Sequence, residues 1–415
     1  MTFKEILDGI DADALARMRR KVPEWNGVEG LVFPTRLSME QCSSSATALY
    51  KAALISRIFT GRGSSGGCAA AEAFPQRSED GMFSLRRGTP SSEKRPVVID
   101  LTGGLGVDCW AFSGIASHVH HNEMDPTLSD AVRTNFEVLG ITDASFSSIE
   151  VAPGKVNEVI AACGNEPDII FLDPARRSST GKKVFLLEDC SPDILTLKEE
   201  LLSSAPDILV KLSPMADITM VCRRLGAEVK EVHVVEADGE CKELLVWMSR
   251  GWSGGYEIVF KELRFTPEEE NGTVPVLVDG IEELESDGCL FEPSSSLLKS
   301  GCFNLVCGKL GLKKLGRFTH LYLASADTAD LAAYGKTFSI SKVLPFNGQN
   351  LKSVGKEYPQ CEVTSRNLPL TSDELRRKMG VKSGGGTHVF ACTADFLESG
   401  SQRIIMITSR IQRQK

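Results

Sequence analysis

The sequence predicts an α/β protein built around a doubly wound, mainly parallel sheet, with a helical region before it and small α+β domains after it. Three observations predict this. Strand-like and helix-like stretches alternate from Pro96 to Gly251. Apolar runs such as Val97-Val98-Ile99 and Ile169-Ile170-Phe171-Leu172 suit strands buried on both faces. A hairpin signal, Ala237-Asp238-Gly239-Glu240 between Val229–Val235 and Glu243–Met248, closes the sheet with one antiparallel strand.

Residues 1–60 read as helical. Ser38-Met39-Glu40-Gln41 fits a capping box, and Ala46, Leu49, Tyr50, Ala53 and Leu54 recur at helical spacing within Cys42–Phe59. Residues 61–95 hold six Gly, six Ser and two Pro, so they read as a mobile loop or linker whose ordering entropy no core offsets. Strands are expected at 97–101, 117–123, 146–151, 168–172 and 207–212, and helices at 126–139, 154–163, 191–203 and 216–226. The main α/β domain is expected over 96–250, a small α+β domain over 251–335 and another unit over 336–415. The first of these carries strands Tyr256–Phe265, Val274–Val278 and Leu321–Ala324 and a helical patch near Ser294–Leu312. In the last, Thr371-Ser-Asp-Glu374 is a capping box opening a helix Asp373–Met379. Ser383-Gly-Gly-Gly386 ends it, and strands follow at His388–Ala394 and Arg403–Ser409.

Composition narrows the class. The 415 residues are 42% hydrophobic and 25% charged, the balance of a globular protein. No apolar stretch is long enough for a membrane helix, and the charged start argues against a secretory signal, so the expected location is the cytoplasm. The 12 cysteines form no CxxC pair and make no metal-ligand spacing with the six histidines, so they read as reduced, buried thiols and no metal is expected. The net charge of −8 hides an asymmetry, because residues 341–415 carry 12 Lys/Arg against 6 Asp/Glu. A basic module on an acidic body points to an anionic partner.

Val97-Val98-Ile99-Asp100-Leu101-Thr102-Gly103-Gly104-Leu105-Gly106-Val107-Asp108 is the most informative stretch. It takes a buried strand through a glycine-rich turn into a helix, whose first N–H groups are expected to be free. Gly104 and Gly106 lack the third glycine of a dinucleotide site. Asp100, at the strand end, repels a pyrophosphate and suits a ligand with an ammonium group. S-adenosylmethionine (SAM) has an amino-acid tail, a sulfonium and no phosphate, so this chemistry favours it over NAD or ATP. Glu123 follows 23 residues after Asp100, near the ~20-residue spacing of a ribose-binding carboxylate. His118, His120 and His121 read as strand-surface histidines. The second motif, Asp173-Pro174-Ala175-Arg176, ends a buried strand abruptly. Ligands of open α/β sheets bind beyond such strand ends, so Asp173 is expected beside the Gly104/Gly106 loop.

Together these residues resemble a class I SAM-dependent methyltransferase over roughly 96–250, which implies a seven-stranded Rossmann-like sheet with a terminal hairpin. Asp100-x-Thr102-x-Gly104-x-Gly106 matches the family's cofactor loop, with Thr102 where a glycine often stands. The resemblance therefore implies a cofactor set of Asp100, Thr102, Gly103, Gly104, Gly106, Glu123 and Met124. Asp173-Pro174-Ala175-Arg176 resembles the Asp/Asn-Pro-Pro-aromatic motif of amino-methylating members such as rRNA guanine-N2 methyltransferases and trimethylguanosine synthases, and implies that these four residues are catalytic. Ala175 replaces the second proline, and Arg176 the aromatic that stacks on the target base. The third strand, Ile149 to Lys155, offers no equivalent of the family's adenine-reading acid.

The whole chain also resembles predicted methyltransferases with a C-terminal THUMP-like domain, through Pro34–Ser44, Leu209–Met215, Arg366–Arg376 and Gly384–Gly386. THUMP domains elsewhere capture RNA. The resemblance thus implies RNA as partner, with Arg366, Arg376, Arg377, Lys378 and Lys382 on its phosphates. The expected reaction is methyl transfer from SAM to an exocyclic amino nitrogen of an RNA base, with Lys211 and Ser213 lining the pocket. Two other readings stay open: a methyltransferase acting on a protein or small molecule, and a non-catalytic RNA-binding protein.

Overall fold

β1 (Val97–Asp100) lies in the middle of the sheet that organises the first part of the chain. This computed structural model describes residues 12–62, 94–176, 187–286, 288–325 and 331–411. The chain forms two compact units, one of residues 1–237 with 242–256, the other of 238–241 with 257–415.

Among the described residues of the first unit, three α-helices precede β1: α1 (Ala12–Lys21), α2 (Arg36–Gln41) and α3 (Ser45–Gly61). The N-cap of α2 is Thr35, whose side chain accepts the Ser38 N–H, so the box expected at Ser38 lies inside the helix. Thr35 wins because its extended backbone frees the hydroxyl to face the first turn. Ser44 caps α3 in the same way. Then follow α4 (Val107–Ser113), β2 (His118–Asn122), α5 (Pro126–Val138), β3 (Ala144–Ser147), α6 (Val156–Cys163) and β4 (Ile169–Leu172). A two-residue ladder pairs β5 (Ala175–Arg176) with β6 (Cys190–Ser191). The unit ends with α7 (Ile194–Ser204), β7 (Asp207–Leu212), α8 (Ile218–Leu225), β8 (Val229–Ala237) and β9 (Glu240–Ser249).

Within this unit the strands of the sheet lie in the order β8-β9-β7-β4-β1-β2-β3. The strands from β3 to β7 pair in parallel and β9 runs antiparallel to β7. The hairpin turn needs left-handed backbone at Asp238 (φ 54°) and Gly239 (φ 76°), which Asp-Gly supplies. β3 begins earlier than the apolar pattern suggests. Its Ser145 and Ser147 are polar because their hydroxyls meet His118 and His120, each at 2.7–2.8 Å. His120 and His121 are buried rather than on the strand surface, and burial pulls both pKa values down to about 4. The core of the unit joins α1 and α3 to β1, β4, β7 and β9 through Met18, Ala48, Ile55, Val98, Phe171 and Leu245.

In the second unit the expected strand Tyr256–Phe265 is a hairpin of β10 (Glu257–Phe260) and β11 (Leu263–Phe265), turning at Lys261 (φ 53°). Of the expected strand Val274–Val278, only Leu277 makes a bridge, to Lys314. α9 (Pro267–Gly272), α10 (Ile281–Glu285), β12 (Cys289–Pro293), α11 (Ser295–Ser300) and α12 (Leu305–Leu310) lead into β13 (Leu312–Gly316) and β14 (Thr319–Ala324). β15 (Gly335–Pro345), α13 (Gly348–Glu357), β16 (Glu362–Arg366), α14 (Ser372–Met379), β17 (Thr387–Phe396) and β18 (Gly400–Arg410) complete it. A 7-stranded sheet of order β13-β14-β12-β15-β18-β17-β16 takes in both expected C-terminal domains. β15 joins them, since it pairs with β12 on one side and β18 on the other. The Thr371–Glu374 capping box is present at the start of α14. The stretch 61–95, read as a loop, lies almost wholly outside the described residues.

Candidate active site

At the end of β1, Asp100 turns its carboxylate onto the loop that follows. Oδ1 accepts the Thr102 N–H at 2.9 Å, and Oδ2 accepts the Cys109 thiol at 3.4 Å. The side chain is buried, and desolvation, reinforced by Asp108 and Asp173, pushes its pKa up to about 8. Gly103 N–H donates to the Asn122 carbonyl at 2.8 Å, Gly104 N–H to Glu123 Oε2 at 3.0 Å and Gly106 N–H to the Gly103 carbonyl at 2.9 Å. These three loop amides are thus held by the protein's own acceptors.

The glycines serve distinct ends. A Cβ on Gly103 would lie 2.2 Å from the His121 ring, and one on Gly106 (φ +77°) 2.5 Å from Val132. Both allow close packing against β2 and α5. Gly104 (φ +52°) differs, because a Cβ there would meet only open space and the Thr102 carbonyl at 4.0 Å. His121 Nε2 bonds the Gly104 carbonyl at 3.2 Å, and Asn122 bridges the Leu101 and Ile149 carbonyls at 3.0 and 2.9 Å. The sequence reading missed both as supports of this loop. Glu123 Oε1 accepts the Asp125 N–H at 3.0 Å. A carboxylate offers about four acceptor sites, so Glu123 keeps capacity for hydroxyl groups. Met124 beside it is exposed.

The turn after β4 lies against this loop. The Asp173 N–H donates to Thr102 Oγ1 at 2.6 Å across 71 residues of sequence. Asp173 Oδ2 is ion-paired with Lys211 Nζ, from β7. Burial alone would lower the Lys211 pKa, yet Asp173, Glu243 and Asp108 together hold it above the usual lysine value. Pro174 is buried and Ala175 exposed; Ala175 and Arg176 pair through their backbones with Ser191 and Cys190. Ser213 Oγ accepts the Met215 N–H at 3.2 Å and so shapes the turn after β7.

Behind the pair lies a charge cluster that sequence reasoning missed. Lys51 of α3 is fully buried, with Nζ 3.0 Å from Glu243 Oε1 and 3.0 Å from Asp108 Oδ1. Ser43 Oγ donates to Asp108 Oδ2 at 2.8 Å. The signal was available: Lys51 shares the helical stripe Ala48–Ala52–Ile55, where a charge demands a buried partner. Asp108, Asp173 and Glu243 outnumber Lys51 and Lys211, so the local field favours a cation. Among the described residues no group of three or more His, Cys, Asp or Glu is placed to hold a metal ion.

The basic residues singled out for RNA belong to the second unit. Arg366 pairs with Glu292 at 3.0 Å and Arg376 with Asp373 at 2.7 Å, so both are partly committed within the chain. Arg377, Lys378 and Lys382 are exposed, the first two in the last turn of α14.

Comparison with known proteins fits this geometry. Across 96% of its length the chain superposes on 89% of the crystal structure of a candidate methyltransferase from Porphyromonas gingivalis W83, with 30% identity and a TM-score of 0.72. Residues 335–410 match the THUMP domain-like family and residues 290–331 a ferredoxin-like domain family. The chain belongs to the class I methyltransferases that carry a C-terminal THUMP-like domain. Over 83 residues the methyltransferase chain is also 31% identical to ribosomal RNA small subunit methyltransferase J of Shewanella sediminis (strain HAW-EB3). That match spans 19% of this chain and 32% of the relative. No described helix is long and apolar enough to cross a membrane.

Proposed function

We propose that the protein transfers the methyl group of SAM to an exocyclic amino nitrogen of an RNA base. One observation carries this reading: the Asp173 N–H bonded to Thr102, which joins the glycine loop and the Asp-Pro-Ala-Arg turn at neighbouring strand ends. The loop's residues suit SAM. The acid excess favours its positive charge, the open face of Gly104 admits a close approach, and Glu123 has acceptor sites left for ribose hydroxyls. SAM supplies an activated methyl on a sulfonium that leaves as a neutral thioether.

The chain's residues then have to align the acceptor. An aromatic amine has a delocalised lone pair. Asp173 Oδ1 and the Pro174 carbonyl accept its two N–H bonds, which localises the pair and aims it. Lys211 holds Asp173 Oδ2, fixing the carboxylate plane. After transfer the nitrogen carries a surplus proton far more acidic than a carboxylic acid, and Asp173 Oδ1 accepts it. Alignment of this kind supplies most of the catalysis, since the leaving group needs no assistance. The exposed cations of the second unit, Arg377, Lys378 and Lys382, bind RNA phosphates in this reading. The likeness to a ribosomal RNA methyltransferase supports an RNA acceptor.

The experiment is mass spectrometry of RNA nucleosides from cells with and without the gene, paired with the Asp173→Ala variant. The expected result is one N-methylated nucleoside lost with the gene and not restored by Asp173→Ala, which still binds SAM by calorimetry. Unchanged nucleosides, with a methylated protein or small molecule lost instead, assign a different acceptor. No heat at millimolar SAM sinks the enzyme reading.

A further inference from the structure

The pairing of Lys211 with Asp173 needs an explanation, because Asp173 has a competitor. In the antiparallel register of β7 and β9, Lys211 lies opposite Leu245. Glu243, two residues along, therefore presents its side chain to the same face as Lys211, a diagonal neighbour within a long side chain's reach. Glu243 is buried, and a buried carboxylate without a partner is costly, so it draws whichever ammonium group is near. Lys211 feels Asp173, Glu243 and Asp108 together. A second lysine already holds Glu243. Lys51 Nζ lies 3.0 and 3.3 Å from the two oxygens of Glu243 and 3.0 Å from Asp108 Oδ1, with Ser43 Oγ at 3.1 Å completing its shell. It is fully buried.

We propose that Lys51 is a positioning residue for methyl transfer: by pairing with Glu243 and Asp108, it leaves Lys211 to hold Asp173. The helical region before the sheet thereby supplies a residue to the site's working geometry. This rests on the reading of Asp173 given above.

The test compares crystal structures of the full-length Lys51→Met and Lys51→Met/Glu243→Gln proteins. It adds tritium transfer from methyl-labelled SAM to RNA from a strain lacking the gene. In Lys51→Met, Lys211 Nζ is expected on Glu243 instead of Asp173, with transfer reduced at least tenfold. The double variant removes one charge of each sign, and the Lys211–Asp173 pair and most of the transfer are expected to return. Lys51→Met with the pair intact, or with parental transfer, overturns the inference. So does a double variant no more active than the single one. Should Lys51→Met not fold, the double variant decides: an intact pair supports the inference, whereas a lost pair or a second failure to fold overturns it, because charge balance is the proposed role. Asp173→Ala in the same assay separates the two readings. Loss there but not in Lys51→Met sinks only the role of Lys51. Full transfer in Asp173→Ala sinks the functional reading, and the position of Lys211 in the variant crystals still tests the pairing.

Discussion

Thr102 Oγ1 accepts the backbone N–H of Asp173 at 2.6 Å, and this bond ties the turn after β4 to the loop after β1. A valine at 102 keeps the shape and leaves that N–H without its partner. Thr102→Val is expected to lose about 1–3 kcal/mol of stability, while Thr102→Ser, which keeps the hydroxyl, loses less than half as much. Urea unfolding measures both. Equal stability of the Val variant and the parent would mean that the bond contributes nothing.

Neighbouring glycines separate packing from ligand approach. Gly103→Ala drives a methyl into the His121 ring, so a stability loss of about 1–3 kcal/mol is expected from overpacking. Gly104→Ala meets open space, and its left-handed backbone costs about 1–2 kcal/mol. In the proposed site, however, it puts a methyl where the donor approaches. The expected pattern is the larger fall in melting temperature for Gly103→Ala and the larger fall in SAM affinity for Gly104→Ala. The reverse order in calorimetry would move the donor off this loop.

Asp100 makes the site sensitive to pH. Its folded pKa, about 8, stands above the ordinary 3.8, so the folded state holds a proton that the unfolded state gives up. Its contribution to stability is full below about pH 4 and is lost as pH rises to about 8. A cationic donor favours the ionised form, so binding near pH 7 is expected to release protons and to strengthen as pH approaches 8. Titration heats at pH 7 should then differ between buffers of different ionisation enthalpy, and Asp100→Asn should remove that part of the difference. Heats independent of buffer in the parent protein contradict this.

The basic residues of the second unit divide by commitment. Lys378→Ala and Lys382→Ala should each weaken RNA binding uniformly across sequences and lower the salt slope by about 1. Arg366→Ala should instead destabilise the unit, because it strands the half-buried Glu292. Filter binding at several salt concentrations, with thermal unfolding alongside, tests both. An unchanged slope in all variants removes this surface from RNA recognition.

Much of the first unit was legible in the sequence. Its parallel strands bury both faces and so show as Val97-Val98-Ile99 or Ile169–Leu172, and Asp238-Gly239 announces the hairpin through the backbone conformation it tolerates. β3 was misplaced because its serines pair with histidines, which hides a half-buried edge strand under polar letters. His120 was misread for the same reason. In the site, Asp173, Thr102 and the glycines came through as local motifs. The Lys51–Glu243 pair did not, since nothing local links positions 192 residues apart. The link between the two expected C-terminal domains is likewise a strand pairing, β12 with β15, which composition does not record.

α3 and its C-cap residue bind a series of acids: Lys51 meets Glu243, Arg57 meets Glu231, and Arg62 meets Asp207 and Asp168. The catalytic unit therefore starts well before its first strand. A fragment cut at residue 95, where the methyltransferase sheet begins, would strand a row of carboxylates beneath a missing lid of cations and expose the apolar face under Ala48 and Ile55. Such a truncation would be an aggregating protein rather than a minimal enzyme.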